Sequence, residues 1–343
     1  MASRHRVKPK AASPEQSIAE ALLAWYRRGH RDLLWRRTRD PFSIWVSEIM
    51  LQQTRAQAVV PYYERFLARF PDVETLAAAP EEEVLALWSG LGYYSRARNL
   101  RRGAIAIVAA GGFPRDYAGI RQLPGVGDYT ASAIASIAFG LPHAVLDGNV
   151  LRVVARVSND PSDIASPATR ERFREIAQQW LDSRHPGEFN QALMELGATV
   201  CQPRNPLCLL CPLAACCRAH EQATTSQLPV KRPKAEPVRL KGTLLVVRWR
   251  GRVLLRRTAP EARLMAGFWE LPTPEHLPRS GVHTPLGEFR HSITHHRYRF
   301  TVASVEKTPA PAGTAFRWFE ALEIQRIPLS TTARKALRIA GIL

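Results

Sequence analysis

Cysteine is missing from residues 1–200 and again from 218–343. A secreted fold stapled by disulfides spread along the chain is therefore excluded, and the tight clustering of the cysteines it does have points to a metal site in a reducing compartment. Long apolar runs are missing too: no stretch of about 18 apolar residues is available to span a bilayer, so no membrane attachment of that kind is expected. The opening residues, MASRHRVKPKAASPEQ, contain no apolar segment, so no secretory signal is expected and residues 1–14 read as a basic flexible tail. Negative charge is also in short supply. Lys and Arg total 48 against 30 Asp and Glu, a formal net charge of +18 with arginine supplying nearly all of the positive side. An excess of this size favours a polyanionic partner, because each phosphate neutralised releases condensed counterions.

What is present is a chain of 343 residues, 45% hydrophobic, enough for a sizeable core and, by length, two domains. From about residue 15 to the cysteines, apolar residues recur at three and four. This predicts helices over 18–28, 42–51, 56–70, 81–87, 97–110, 129–139, 150–157, 168–183 and 189–200, and an all-α domain over 15–220. A polar run with proline and lysine, HEQATTSQLPVKRPKAEPVRLK, then reads as a linker, taken as 221–239. Beyond it the pattern alternates. Strands are predicted over 243–249 and 252–257 around an Arg250-Gly251 turn, over 297–305 and over 315–319, with a closing helix over 330–340. Residues 240–343 are thus a smaller α+β domain.

Three constellations carry chemistry. In LPGVGDYTA, Leu123 to Ala131, Gly125 and Gly127 permit a tight turn at the start of a helix. Its outward N–H groups would make a nest for a DNA phosphate without sequence preference. The second constellation is a pair of carboxylates, Glu48 in SEIMLQQT and Asp147 in LDGNV. Glu48 lies in an apolar helix, where burial would raise its pKa and keep it protonated near neutrality. Asp147 is placed either to cap the helix that follows or to supply an ionised carboxylate. One protonated acid and one ionised carboxylate around an oxocarbenium-like transition state is the logic of glycosidic bond cleavage. The third is Cys201-x6-Cys208-x2-Cys211-x5-Cys217, with Cys216 as a surplus thiol. Four thiolates in a short loop can hold zinc or a 4Fe–4S cluster; the single Cys-x-x-Cys with two wider arms favours iron–sulfur.

Taken together, these features and the strings RDLLW, SEIMLQQT, LGYYSRARNL, LPGVGDYTA, LDGNV and NQALMELGA resemble the helix-hairpin-helix DNA glycosylase superfamily and, within it, the MutY adenine glycosylases, across roughly residues 15–217. The resemblance implies a helical fold that holds DNA across a cleft, and a 4Fe–4S cluster on Cys201, Cys208, Cys211 and Cys217 in a loop that docks DNA. It implies that Glu48 protonates the adenine at N7 and helps deliver water, that Asp147 stabilises the oxocarbenium charge, and that Asn149 orients the site. Strand-cleaving relatives carry a Schiff-base lysine in the hairpin motif; here that position is Tyr129, which implies a monofunctional enzyme. The target base must leave the duplex, and Gln53 and Tyr93 match the positions that fill the gap. Arg31, Leu33, Trp35 and Glu195 would shape the adenine pocket.

In the second domain, RLMAGFWELP and FRHSITHHRYRF match landmarks of a Nudix-like 8-oxoguanine recognition domain. Its reading loop falls at Ile293-Thr294-His295, where the family usually has Phe-Ser-His; Thr294 keeps the hydroxyl, while Ile293 cannot stack as a phenyl ring does. No Glu-rich metal-binding helix follows Gly267, so recognition rather than hydrolysis is expected. The expected partner is duplex DNA with adenine opposite 8-oxoguanine or guanine. The expected state is a cytoplasmic monomer, nucleoid-associated if bacterial. Two other readings remain: a thymine or other mismatch glycosylase of the same superfamily, and a non-catalytic iron–sulfur DNA-binding protein.

Overall fold

A computed structural model describes residues 14–232, 236, 238–259, 262, 265–278, 280, 281, 283–293, 296–305, 315–325 and 327–343. The helices run α1 Pro14–Arg28, α2 Pro41–Leu51, α3 Ala56–Arg69, α4 Val73–Ala78, α5 Glu81–Trp88, α6 Ser95–Ala109, α7 Tyr117–Gln122, α8 Asp128–Phe139, α9 Gly148–Val157, α10 Pro167–Trp180, α11 Pro186–Thr199 and α12 Arg218–Glu221. The sheet strands are β1 Val238–Trp249, β2 Arg252–Arg257, β3 Trp269–Glu270, β4 His283–Ile293, β5 His296–Val305 and β6 Phe316–Phe319, followed by α13 Ala321–Ile324 and α14 Thr331–Ile339. Among the described residues no helix is long and apolar enough to cross a membrane.

The helix starts follow local chemistry. The Asp40 side chain accepts from the Ser43 N–H at the head of α2, with Pro41 in the first turn; Pro167 and Pro186 occupy the same place in α10 and α11. Gly140 ends α8 in the left-handed conformation, φ 67°.

By internal contacts the chain divides into two compact units. The first takes the described residues of 14–63, 72–74 and 103–233. Its core is built by α1, α9, α10 and α11, with Leu22, Val150, Val154, Phe173, Phe189 and Leu193 buried together. Helix α8 packs against both α2 and α11, which is what brings residues far apart in sequence to one place. The packing leaves no slack: an added methyl on Gly103 would sit 2.6 Å from the Trp45 ring, and one on Gly187 2.6 Å from the Ser136 carbonyl. The segment after the cysteines is tied to this unit, with Leu228 buried and its carbonyl accepting from Arg156 Nε at 2.9 Å.

The second unit takes the described residues of 64–71, 75–102 and 234–343. Its sheet has the order β3-β2-β1-β5-β4, with β6 also paired to β2. β1 and β2 form the expected hairpin; Arg250 and Gly251 both have positive φ, 48° and 76°, as a type I′ turn requires. β1 then runs parallel to β5, and β4 antiparallel to it. Strand β4 was not expected, because its sequence HTPLGEFRHSI carries Pro285 and Gly287 where the register shifts, which interrupts the alternation a strand displays. In the same unit the Tyr94 ring lies 4.0 Å from Phe268, and its hydroxyl donates to the Leu329 carbonyl at 3.4 Å. The loop before α6, with Tyr93 at its tip, is thereby held from two sides, since Arg96 donates to Leu91 O and Gly92 O.

Candidate active site

Helix α2 reads PFSIWVSEIML, almost wholly apolar, so a charged residue inside it is buried wherever it points. Glu48 is 4% exposed, and burial pushes its carboxyl up to about 7; the Tyr129 hydrogen bond opposes this, the Asp147 charge adds to it and Arg36 offsets part of it. Tyr129 stands in the first turn of α8, and its hydroxyl donates to Glu48 Oε2 at 2.6 Å while lying 3.3 Å from the Met194 sulfur. Burial, and then the Glu48 and Asp147 charges, hold the Tyr129 phenol well above its ordinary value, so it remains a donor.

Asp147 caps α9, and it also faces the cavity. Its Oδ1 accepts from Asn149 N at 2.9 Å and Val150 N at 2.7 Å, and its Oδ2 from Asn149 Nδ2 at 2.8 Å. Burial raises its pKa, opposed by the hydrogen bonds from Val150 and Asn149 and by Arg152. Sequence reasoning missed Arg152, which fixes the other end of the Asn149 amide. Its Nη2 donates to Asn149 Oδ1 at 2.8 Å and to the Gly197 carbonyl at 2.6 Å, and its Nε to the Cys201 carbonyl at 2.7 Å. Spacing could offer only Asn149, three residues earlier on the same helix; the Gly197 and Cys201 carbonyls come from α11 and the loop beyond it.

Gly197 is where α11 meets the head of α9: an added methyl would sit 2.6 Å from Asn149 Cβ and 3.0 Å from its Cα and carbonyl oxygen. Gly197→Ala is therefore expected to cost about 1–3 kcal/mol of stability by overpacking. It should also lower the activity of the site by more than about tenfold, because it displaces Asn149, which hydrogen-bonds Asp147. A thermal melt and a single-turnover assay on the same sample check both; unchanged turnover would mean the α9 head tolerates the shift.

Glu48, Tyr129, Asp147 and Asn149 share a cavity of about 960 Å³ with Arg31, Leu33, Trp35 and Gln53. Glu195 does not line it. It lies behind the wall, where its carboxylate takes Arg31 Nε at 2.8 Å and Nη2 at 2.7 Å, and Arg36 Nη2 at 2.7 Å. Burial alone would raise Glu195; the hydrogen bonds from Arg31 and Arg36 outweigh it and hold the carboxyl down at about 2. Glu195 thus acts on the cavity by aiming two guanidinium groups, one of which, Arg36, the sequence reading passed over.

With this geometry in view, comparison with known proteins decides the family. Residues 46–179 match the model of the HhH-GPD superfamily base excision DNA repair protein. The adenine DNA glycosylase of Mus musculus is 36% identical, over 93% of this chain and 76% of its own length. The chain belongs to the adenine DNA glycosylase family. The adenine DNA glycosylase of Homo sapiens is 48% identical to it over 61% of this chain and 40% of its own length. A solved thermostable thymine-DNA glycosylase superposes with a TM-score of 0.56 at 29% identity, over 61% of this chain and 97% of that one.

In this glycosylase the hairpin lies between α7 and α8. Leu123 is buried at the end of α7, while Gly125 and Gly127 are exposed. Only Gly125 needs glycine for its backbone, φ 77°; Gly127 has an ordinary φ of −96°, and its contribution is bare space beside the uncapped start of α8. Gln53 and Tyr93 share an unusual feature. Both are exposed, and both are non-glycine residues in the left-handed region, with φ 59° and 48°, a strain that clusters at functional sites. Thr294 and His295 lie outside the described residues, as does the Ile293 side chain.

The cysteine loop spans two 3₁₀ turns, Cys208–Leu210 and Ala214–Cys216. Cys201, Cys208, Cys211 and Cys217 line one small cavity of about 20 Å³ against Val153, Arg156 and Leu196. Cys216 is not among its lining; its thiol donates to the Leu213 carbonyl at 3.3 Å. Among the described residues no group of three His, Cys, Asp or Glu side chains has the geometry to hold a metal ion as it stands. Arg156, 1% exposed, threads the loop: its Nη1 donates to Gln202 O at 2.7 Å and lies 3.3 Å from Cys201 Sγ.

Proposed function

We propose that this protein is a monofunctional glycosylase that hydrolyses the N-glycosidic bond of adenine mispaired with 8-oxoguanine or guanine in duplex DNA. The observation that carries the reading is the 2.6 Å contact between the Tyr129 hydroxyl and the Glu48 carboxylate, in the cavity that Asp147 also faces. The adenine, turned out of the duplex, occupies the cavity beside Arg31, Leu33 and Trp35. The C1′–N9 bond breaks with its electron pair going to the base, and Glu48 delivers its proton to N7. Asp147 stabilises the oxocarbenium sugar; a developing cation beside it favours its charged form. Water adds to C1′, its proton passes to the Glu48 carboxylate, and free adenine and an abasic site remain. Asn149 orients Asp147 throughout. A Schiff base needs an amine, and no lysine lies between Lys10 and Lys231.

Gly125, Gly127 and the head of α8 bind a phosphate, and Gln53 and Tyr93 wedge into the space the adenine leaves. The catalytic domain lies within residues 15–220, and the sheet domain that β1 opens at Val238 is a Nudix-like recognition domain that reads 8-oxoguanine through Thr294 and His295. The donor set of the cysteine loop suits a 4Fe–4S cluster: four soft thiols face one cavity and the fifth is turned away. Bound there, the cluster supplies a crosslink that fixes the loop. Cys211→Ser is then expected to lose iron and weaken duplex affinity about tenfold or more, while Cys216→Ser keeps the wild-type iron content. Iron analysis and anisotropy on both variants check this; iron loss in Cys216→Ser would show that the ligand set is wrong.

The direct test uses end-labelled duplexes with adenine opposite 8-oxoguanine, guanine or thymine, and thymine opposite guanine, resolved before and after hot alkali. Strand cleavage only after alkali, fastest for adenine opposite 8-oxoguanine, is the expected result. Cleavage without alkali contradicts monofunctional chemistry. Thymine release would favour the mismatch-thymine reading, and no release from any duplex the non-catalytic one.

A further inference from the structure

The sheet of the second unit has two faces. One is covered by α14, which buries Leu244, Val246 and Val302 and partly buries Phe289 and Phe300. Among the described residues the other is covered at one end only, where Leu245, Val247, Ala303 and Val305 pack with Leu277. Toward the opposite end of β1, β5 and β4 no described residue covers the second face, and the pairing register says what stands on it. Lys241, Arg299 and Arg290 lie directly across from one another on the three strands, and one step along the same face so do Arg239, Arg297 and Ser292. All six are exposed. Residues opposite in register share a face, and i, i+2 neighbours continue it, so these are two rows of charge about 7 Å apart with about 5 Å between strands.

Like charges directly opposite on a sheet repel, so this arrangement costs stability in the free protein. None of the five cations makes a salt bridge among the described residues. The nearest carboxylate on this face, Glu288, is opposite Thr301, whose hydroxyl donates to it at 3.3 Å. No aromatic residue shares the cationic rows: Tyr298 and His291 alternate to the other face. A face of regularly spaced cations without rings has nothing on which to stack a base and is suited to a repeating anion.

We propose that Arg239, Lys241, Arg290, Arg297 and Arg299 form a docking face for the phosphodiester backbone of duplex DNA. This rests on the reading of the protein as a DNA glycosylase, and it gives the second domain a grip on DNA that is indifferent to sequence and lesion. Contacts of this kind set register and orientation and carry no base information.

The test is the salt dependence of binding by the full-length protein to an undamaged duplex, followed by anisotropy between 50 and 200 mM KCl. Replacing Arg239, Arg297 and Arg299 together by glutamine is expected to lower the slope of log affinity against log salt by up to about 2.7, at roughly 0.9 per lost phosphate contact. Affinity at the low-salt end should fall more than about tenfold, equally for duplexes of different sequence and with or without 8-oxoguanine. Replacing the same three by lysine should restore both, since a point charge suffices for a phosphate. An unchanged slope overturns the proposal and leaves the face for an acidic protein; so does a loss confined to the 8-oxoguanine duplex, which would make these residues base readers. Undamaged DNA separates this result from the catalytic reading, because no base release is involved.

Discussion

Replacing Glu48 with glutamine is expected to slow adenine release by about 10³-fold or more while leaving duplex affinity within about twofold. The amide has the shape of the carboxyl and can still accept from Tyr129, but it has no proton to give at any accessible pH. In the wild type the carboxyl is buried and raised to about 7, so the acid form is substantially populated near neutrality. The single-turnover rate should therefore decline as pH rises through about 7. Stability carries the same signature with a definite sign. Because the folded pKa lies above the unfolded one, the contribution of the neutral form is complete below about pH 4.5 and is lost as pH rises through about 7. At pH 8 the glutamine variant, which never pays for ionisation, should be more stable than the wild type, on the order of 3 kcal/mol. Denaturant melts at pH 5 and pH 8 check the sign. A rate that stays flat between pH 6 and 8.5, or a glutamine variant that retains a tenth of the activity, would falsify the assignment of Glu48 as the acid.

Much of the helical unit was legible because its helices announce themselves locally. α9 begins at an aspartate that caps it, α10 and α11 at a proline, and α8 ends at a left-handed glycine. The buried acid was legible as well, since a lone glutamate in an apolar helix must either be paired or be raised in pKa. Contacts between elements were not legible. Arg36 and Arg152 look like any other arginine in a chain full of them, and only the packing of α11 gives Arg36 the Glu195 carboxylate and Arg152 the Gly197 carbonyl that holds it beside Asn149. Glu195, expected to shape the pocket, stands behind its wall and holds Arg31 and Arg36. In the second unit β4 escaped notice because a proline and a bulge break its period, and with it went the row that Arg290 completes.

Asp147 raises a sharper question, because the structure shows it capping α9, and a cap alone would explain why an aspartate stands there. Asp147→Asn separates the two roles. Asparagine caps a helix about as well as aspartate, so the bonds from Asn149 N and Val150 N can persist on the amide oxygen. The new amide NH₂ then faces Asn149 Nδ2, which now donates to Oδ2 at 2.8 Å, and two donors meet. Turning the Asn149 amide relieves this but gives up its 2.8 Å bond from Arg152. The expected result is a loss of about 1–2 kcal/mol in stability, the cost of one unmade buried hydrogen bond, together with a fall of about 10²–10³-fold in base release from the missing charge. The double variant Asp147→Asn/Asn149→Asp repairs the hydrogen bonding, because the carboxylate now at the second position accepts from the new amide and from Arg152 alike. Its stability should return to within about 0.5 kcal/mol of the wild type, since cap and network are both satisfied again. Its activity should not return, because the negative charge has moved two residues away from where the oxocarbenium sugar develops. Recovery of the rate along with the stability would mean that Asp147 acts only by holding α9 in place, and the charge beneath the sugar would have to come from another group.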